Sequence, residues 1–250
     1  MRNLLLSGGY RHAHDFAATS QAHAENWSQV GIDSVITDDI DSALTDLTTD
    51  AYDLVTVNAL RWTMGADRYT ADRPRFAFSL STTARATLTD FVQSGGGLVA
   101  LHTASICFDD WSGWGDLVGA TWNWTVSSHP PVGEFHVEVA TDTHPITADI
   151  GDFVVTDEVY RDLDRHGDRV VLAVAGDRAD GAGGAPDNGD PDNDGGAEAE
   201  VQALMWVRSV GHGRVFHDAL GHGPTSVRQP NHATLLQRGA RWAAGAEVSP

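Results

Sequence analysis

Short apolar segments alternate with longer amphipathic segments through the first hundred residues. Segments 4–6 and 98–101 are continuously apolar, and 54–57 is apolar apart from Thr56, which predicts strands buried on both faces. Between them, segments 15–30 and 84–92 carry apolar residues at helical spacing. This alternation of strands and helices predicts an α/β fold with a parallel sheet covered by helices on both faces.

The second half of the chain has a different periodicity. Segment 133–140 alternates strictly between apolar and polar residues, which predicts a half-exposed antiparallel strand. Segments 170–175, 201–207 and 214–220 predict three further strands, and a final helix is predicted to begin near Asn231. We therefore expect antiparallel strands to extend the parallel sheet.

One acidic, glycine-rich segment interrupts this pattern at 177–200. It holds eight acidic residues, one Arg and almost no apolar side chain other than alanine. Such a segment buries too little apolar surface to order itself. Because it joins two predicted strands, we expect a disordered insertion within a single domain that spans residues 1–250.

Charge excludes several classes of partner. The chain has 16 basic residues, all of them Arg, against 35 acidic residues, which gives a formal net charge of −19. Such a surface repels phosphate backbones and anionic lipids, so we expect no nucleic-acid partner and no membrane partner. A lysine-free acidic chain is typical of adaptation to high salt. A single Cys and the lack of a signal-type or membrane-spanning apolar segment predict a cytoplasmic protein.

Candidate chemistry lies where the predicted strands end. Ligands bind to parallel sheets at the carboxyl ends of the strands, where this sequence places Gly8, Gly9, Asn58 and His102. We predict that His102 acts as a general acid–base or orients a ligand. His222 follows the last predicted strand between two glycines, where bare backbone lets a ligand come close, and is the second candidate.

The sequence argues against a Cys nucleophile. In amidotransferases and hydrolases of this general architecture, the nucleophile occupies a sharp turn flanked by glycines. Ser105 and Cys107 have no such glycines, and Cys107 lies five residues beyond His102. We therefore interpret Cys107 as a small buried thiol.

Several segments resemble the ThuA-like (trehalose utilisation) family. The resemblance implies a flavodoxin-like fold of the class I glutamine amidotransferase type that lacks the amidotransferase nucleophile. It also implies a role in carbohydrate metabolism, in particular of trehalose-type disaccharides and their oxidised keto forms, so the expected partner is a small carbohydrate. The matching segments are GGGLVALHTASICFDDWSGWGDLVG from Gly95, HPIT from His144, DEVY from Asp157 and GRVFHDALGHG from Gly213.

The resemblance adds further candidate site residues. Glu158 matches as a carboxylate base and Tyr160 as a partner for a sugar hydroxyl, and His129 also lies at a matching position. Trp111 belongs to a group of four tryptophans whose rings are suited to stacking on sugars, and neighbouring Asp109 is suited to binding sugar hydroxyls. The family pattern also has a histidine shortly after the N-terminal glycines, which is here either residue 12 or residue 14.

Three hypotheses about function remain open at this stage. The first is a carbohydrate enzyme in which His102, His222 and Glu158 transfer protons or orient the substrate. The second is a metal-dependent hydrolase in which His12 and His14 supply two close imidazoles and His102 or His222 converges on them around a divalent ion such as zinc. The third is a noncatalytic sugar-binding module. The sequence fixes neither the cofactor nor the oligomeric state, and a homo-oligomer remains open.

Overall fold

A computed structural model describes residues 1–176 and 201–248 of the chain. The acidic segment 177–200, for which we predict a disordered insertion, lies outside the described residues. The strands are β1 (Arg2–Gly9), β2 (Asp33–Thr37), β3 (Leu54–Leu60), β4 (Gly97–Leu101), β5 (Ala120–Thr121), β6 (Gly133–Val139), β7 (Phe153–Asp157), β8 (Asp164–Arg165), β9 (Val170–Ala175), β10 (Ala203–Val210) and β11 (Gly213–Asp218).

Helices connect these strands on both sides of the sheet. They are α1 (Phe16–Ser28), α2 (Ile40–Thr45), α3 (Arg73–Phe76), α4 (Thr82–Gln93), α5 (Ser112–Val118), α6 (Pro224–Val227) and α7 (Pro230–Ala243). Two short 3-10 helices cover Asp67–Tyr69 and His102–Ile106. No helix in 1–176 or 201–248 is both long and apolar enough to cross a membrane.

Within the described residues, nine strands form one sheet in the order β2-β1-β3-β4-β11-β10-β9-β6-β7. The half from β2 to β11 is parallel, whereas β10, β9, β6 and β7 are added in antiparallel steps. The predicted α/β class and the antiparallel strand at 133–140 are both confirmed. Because four antiparallel steps separate β7 from β11, these two strands run in the same direction and end at the same edge.

The core lies on both faces of the sheet, as the buried apolar strands require. On one face, Leu5 of β1 belongs to the same cluster as Trp27 of α1 and Leu235 of α7. On the other face, Leu4 packs in a cluster that includes Leu88 of α4. Each such fully buried side chain contributes about 1.5–3 kcal/mol relative to an exposed one.

Asn58 does not lie at the end of its strand, so that prediction is wrong. β3 continues to Leu60 because it pairs with β1 as far as Gly9. The Asn58 side chain is buried, and its amide donates to the hydroxyls of Thr19 and Ser20 at 2.9 and 2.8 Å. These bonds explain a buried polar residue in an otherwise apolar strand.

His23 on α1 is fully buried without a hydrogen-bond partner for either ring nitrogen among the described residues. Its ring stacks on Trp27 with the centroids 5.3 Å apart. Burial, with a contribution from His232, lowers the pKa of His23 to about 3. The folded chain therefore keeps this ring neutral well below its ordinary pKa of about 6.5.

This burial predicts a pH-dependent loss of stability. Below about pH 6.5, the unfolded chain binds a proton at His23 that the folded chain does not. The stability contributed by the neutral ring is therefore lost as the pH falls towards 3. In the variant His23→Phe, we expect each pH unit below about 6 to cost about 1.4 kcal/mol less than in the parent chain.

Urea unfolding between pH 4 and 7 measures the slope of the free energy of unfolding against pH. Any strain from the larger ring lowers this free energy equally at every pH and leaves the slope unchanged. His136 is exposed on β6, and His136→Phe is the matched control, with a slope like that of the parent. A slope in His23→Phe equal to that of the parent would contradict the assignment.

Candidate functional site

Four side chains with metal-binding atoms converge at the edge where the parallel strands end. His14 follows β1, His102 follows β4, Glu158 follows β7 and His222 lies four residues after β11. One ligand atom from each lies within 4.8 Å of all the others. We call these four residues the histidine–glutamate cluster. Three of them are candidates from the sequence outright, and His14 is one of two alternatives there; the fold brings all four together.

Distances within the cluster are close to those of a metal coordination shell. His14 Nε2 and His102 Nε2 are 3.0 Å apart, and Glu158 Oε2 is 3.5 Å from His102 Nε2. Glu158 Oε1 lies 3.3 Å from Nδ1 of His222. Ligand atoms bound to tetrahedral zinc at about 2.0–2.1 Å are about 3.3–3.4 Å apart. The residues therefore fit a divalent ion in both donor type and spacing.

His102 occupies a strained turn directly after β4. Its φ is +47°, in the left-handed region, which is uncommon for residues other than glycine and costs about 1–2 kcal/mol. The turn is held by Ser105 Oγ, which donates to the His102 carbonyl at 3.0 Å. It aims the imidazole over the end of the sheet, as a nucleophile elbow aims its nucleophile.

One contact fixes the tautomer of His102. Its Nδ1 lies 2.9 Å from the carbonyl oxygen of Ala219. Because a carbonyl only accepts hydrogen bonds, Nδ1 carries the proton and the lone pair of Nε2 faces the cluster. This arrangement is common for metal-binding histidines, whose second nitrogen donates to a carbonyl or carboxylate.

His14, and not His12, belongs to the cluster. Asp15 caps α1 by accepting from the Ala18 amide at 3.0 Å, which places His14 at the start of the helix. Burial, together with the charges of His102 and His222, lowers the pKa of His14 to about 3, so the ring is neutral and free to bind a metal.

His12 lies elsewhere, with its ring against the side chains of Tyr10 and Phe76 at centroid distances of 5.0 and 5.9 Å. The choice that the sequence left open is therefore decided by the geometry after β1. Residue 12 is exposed on the wall of a neighbouring cavity.

Charge within the cluster is balanced between Glu158 and its histidines. Burial acts to raise the pKa of Glu158, but contacts with His102 and His222 outweigh burial and hold it below its ordinary value. In turn, Glu158 raises the pKa of His222. The side chain of Glu158 is only 8% exposed, so these contacts act with little screening by water.

Asp157 anchors the two chain segments that carry Glu158 and His222. It is buried, and its Oδ1 accepts from the amides of Glu158 at 2.7 Å and His222 at 3.1 Å. Its Oδ2 accepts from the amide of Gly221 at 2.7 Å. This role of Asp157 is not visible in the sequence, because amide donors from a distant loop leave no local sequence signal.

Tyr160 and His129 lie beside the cluster. The hydroxyl of Tyr160 is 3.2 Å from His102 Nε2, and its ring stacks on that imidazole at 4.6 Å. Burial raises the pKa of Tyr160 well above its ordinary value, so the phenol stays protonated. His129 Nδ1 is 3.4 Å from Glu158 Oε1, and the His129 side chain is 42% exposed. His129 thus connects the buried carboxylate to solvent.

Aromatic side chains continue outward from Tyr160. Trp122 contacts the Tyr160 ring at 5.2 Å, and Trp124 stacks on Trp62 at 6.0 Å and contacts Tyr69 at 6.4 Å. Trp124 is 41% exposed. We call Trp62, Tyr69, Trp122 and Trp124 the aromatic wall. Two of its members belong to the tryptophan group noted in the sequence, whereas Trp62 and Tyr69 come from a distant loop.

Asp109 and Trp111 lie apart from the cluster. Asp109 accepts from the amide and hydroxyl of Thr63 at 2.8 and 2.9 Å. The Trp111 ring contacts Trp114 and Arg85. Among the described residues, no hydrogen bond or ring contact joins either side chain to the histidine–glutamate cluster.

Gly8 and Gly9 have left-handed backbones at the end of β1, with φ of +102° and +130°. A Cβ on Gly9 would collide with the Leu60 carbonyl. Gly8 lines a cavity of about 820 Å³ whose wall also includes Arg11, His14 and Asp38. The bare backbone thus lies next to the cluster, and His14 belongs to both the cavity wall and the cluster.

Cys107 is buried and has no access to the cavity edge as a nucleophile. Its Sγ donates to the Ala59 carbonyl at 3.0 Å and accepts from the Arg61 amide at 3.3 Å. Burial raises the pKa of this thiol to about 12, so no thiolate forms near neutral pH. The interpretation as a small buried thiol is confirmed by its burial.

The fold and site define an α/β protein with a cluster of imidazoles and one carboxylate at the sheet edge. The sequence model of the ThuA family, described as trehalose utilisation, matches residues 2–243. The chain therefore belongs to the ThuA family. No curated protein matches this chain.

Solved structures with the same fold include two ThuA-like proteins. One, from Parabacteroides merdae, is 19% identical with a TM-score of 0.72 and aligns over 100% of this chain and 92% of its own. Another, from Bacteroides uniformis, is 17% identical with a TM-score of 0.65 over 97% and 91%. A cytoplasmic protein of Salmonella typhimurium is 13% identical with a TM-score of 0.62 over 97% and 99%. At these identities the likeness shows the fold alone.

The anchoring carboxylate gives a prediction about stability. Asp157→Asn keeps the shape of the side chain but replaces one acceptor oxygen by a donor that faces amide N–H groups. We expect a loss of about 2–4 kcal/mol in the free energy of unfolding, because hydrogen bonds to buried charged groups are worth about 1.5–3 kcal/mol each. Urea denaturation at constant pH measures this loss.

Asp152→Asn is the matched control, because its exposed carboxylate accepts a single amide bond, from Val139 at 2.8 Å. We expect this variant to lose less than about 1 kcal/mol. Equal losses in the two variants would show that Asp157 is not a special anchor.

Proposed function

We propose that this protein is a metal-dependent enzyme of carbohydrate metabolism, with its metal held by His14, His102, His222 and Glu158. The proposal rests on the convergence of these four ligand atoms within 4.8 Å, from four separate segments of the chain. Imidazole nitrogens with one carboxylate suit zinc and similar transition metals better than magnesium or calcium. The protonated Nδ1 of His102, which donates to Ala219, supports the same assignment.

A sugar is the substrate class that best fits the surroundings. Family membership connects the chain with trehalose utilisation. The aromatic wall leads from Tyr160 to the exposed ring of Trp124, and aromatic side chains that flank a few polar groups are typical of small-molecule sites. Indole rings offer flat apolar faces of the kind that pack against the C–H face of a pyranose.

The proposed chemistry is general acid–base catalysis at a sugar hydroxyl or carbonyl. A bound divalent ion supplies Lewis-acid polarisation of that oxygen. The protonated phenol of Tyr160 lies 3.2 Å from His102 Nε2, where it would donate a hydrogen bond to a substrate oxygen bound beside that imidazole. His129 exchanges protons with solvent beside Glu158, because it is the exposed member of the contact.

The metal assignment is tested by stoichiometry. We expect the purified chain, prepared without a histidine tag, to bind one zinc ion, measured by elemental analysis after dialysis and by competition with a chelator. His14→Ala removes a ligand and should weaken zinc binding more than about a hundredfold, since loss of a supporting outer partner alone costs about 10–100-fold.

His12→Ala is the matched control, two residues away and outside the cluster, and should bind zinc like the parent chain. Unchanged zinc affinity in His14→Ala, or a parent chain that binds no divalent transition metal, would contradict the proposed centre.

The sugar assignment is tested at the aromatic wall. Trp124→Ala removes an exposed ring, and we expect the affinity for trehalose or another disaccharide that binds the parent to fall about tenfold, as for aromatic contacts worth about 1 kcal/mol or more. Trp242→Ala is the control, because that ring lies on α7 against His144. Calorimetry measures both affinities.

Equal affinities in the Trp124→Ala and Trp242→Ala variants would contradict the aromatic wall as the sugar platform. Saturable sugar binding without turnover under any metal condition would instead indicate a noncatalytic binding module.

A further inference from the structure

Arg61 is a partly buried cation without a carboxylate in ion-pair contact among the described residues. It follows β3 directly, at the edge of the sheet where the cluster lies. Among the described residues, its guanidinium forms no hydrogen bond and no ion pair, and its buried Nε has no partner. The guanidinium carbon lies 5.4 Å from the centre of the Phe78 ring. In a chain of net charge −19, a partly buried arginine without a carboxylate partner calls for an explanation.

The free guanidinium lies beside the cavity that adjoins the cluster. A Cβ placed on Gly8 would lie 3.9 Å from Nη2 of Arg61, and Gly8 lines the cavity. Arg11 and His14 line it as well, so the cavity extends from Arg11 to a proposed metal ligand, with Arg61 next to its Gly8 wall. Burial lowers the pKa of Arg61 from its ordinary value, while Cys107 and Asp38 act to raise it and Arg11 adds a smaller lowering. An anion beside Arg61 would compensate the cost of burying its charge.

Two carboxylates also lie at this cavity, and they bear on the choice of ligand. Asp15 already accepts a hydrogen bond from the Ala18 amide at the N-terminus of α1. Asp38 is exposed on the chain after β2, and its Cβ lies 3.6 Å from the position of a Cβ on Gly8. It forms no ion pair with Arg61 within 4.0 Å among the described residues. Asp38 therefore competes with an incoming anion without neutralising Arg61.

We infer that Arg61, with Arg11, binds an oxyanion group carried by the substrate, so that the enzyme acts on a sugar bearing a carboxylate or a phosphate. This inference rests on the proposed function for its sugar and its metal, and adds the charged group that selects the substrate. Guanidinium groups recognise both oxyanions through paired N–H donors. Gly8 leaves room for the group to approach, because it has no side chain there.

The test is isothermal titration calorimetry on the full zinc-treated chain, at constant ionic strength. The ligands are glucose, glucuronate, glucose 6-phosphate and inorganic phosphate. We expect at least one of the two anionic sugars to bind the parent about tenfold or more tightly than glucose does. A preference for glucuronate assigns a carboxylate, and a preference for glucose 6-phosphate assigns a phosphate.

Variants identify the residues. In Arg61→Gln, we expect the affinity for the anionic sugars to fall to that for glucose, while the affinities for glucose and zinc stay as in the parent. Asp38→Asn removes the competing negative charge and should increase the affinity for the anionic sugars. Arg228→Gln removes an equal charge at an exposed ion pair with Glu25 and should leave every affinity unchanged.

The outcomes separate this inference from the proposed function. Equal binding of all three sugars by the parent, or a preference that survives Arg61→Gln, overturns the anion site and leaves the metal and sugar proposals standing. If zinc and neutral sugar do not bind, the proposed function fails. In that case, the anion site is still supported if inorganic phosphate binds the parent and no longer binds Arg61→Gln. If phosphate does not bind the parent, or binds both equally, the anion site is overturned. Should Arg61→Gln fail to fold by circular dichroism, tightening in Asp38→Asn decides the question.

Discussion

The carboxylate of Asp157 is the interaction on which the geometry of the site depends. It joins the end of β7 to the loop that follows β11, two places in the sheet with three strands between them. A buried carboxylate is tolerated only with strong hydrogen bonds, and three amides supply them here. Because two of those amides belong to Glu158 and His222, neither residue moves without breaking the anchor.

The same loop is held from its other side by a second buried carboxylate. Asp218, the last residue of β11, accepts from the Leu220 amide at 2.9 Å and contacts His232 of α7 at 2.7 Å. Between the two carboxylates, the loop presents the Ala219 carbonyl to His102. One short loop thus sets the position of His222 and the tautomer of His102.

The turn after β4 shows how one architecture supports different chemistry. In related architectures this sharp turn presents a nucleophile above the sheet. Here it presents the imidazole of His102, and the only thiol of the chain is buried beside Ala59. The position that carries covalent chemistry elsewhere thus holds a histidine here, for which we propose a role as a metal ligand.

The sequence by itself determined the α/β class, the alternation of strands and helices in the first hundred residues, and the family. Apolar periodicity is local, so continuous segments such as 98–101 report burial without knowledge of their partners. It also identified His102, His222 and Glu158 as candidates, since strand ends and short motifs are visible along the chain. Tertiary structure alone decided that His14 and not His12 joins them, that Asn58 is an internal strand residue, and that Asp157 is an anchor. These outcomes depend on contacts between residues far apart in sequence, such as Asp157 with Gly221, and no local pattern encodes which distant amide or imidazole will meet a given side chain.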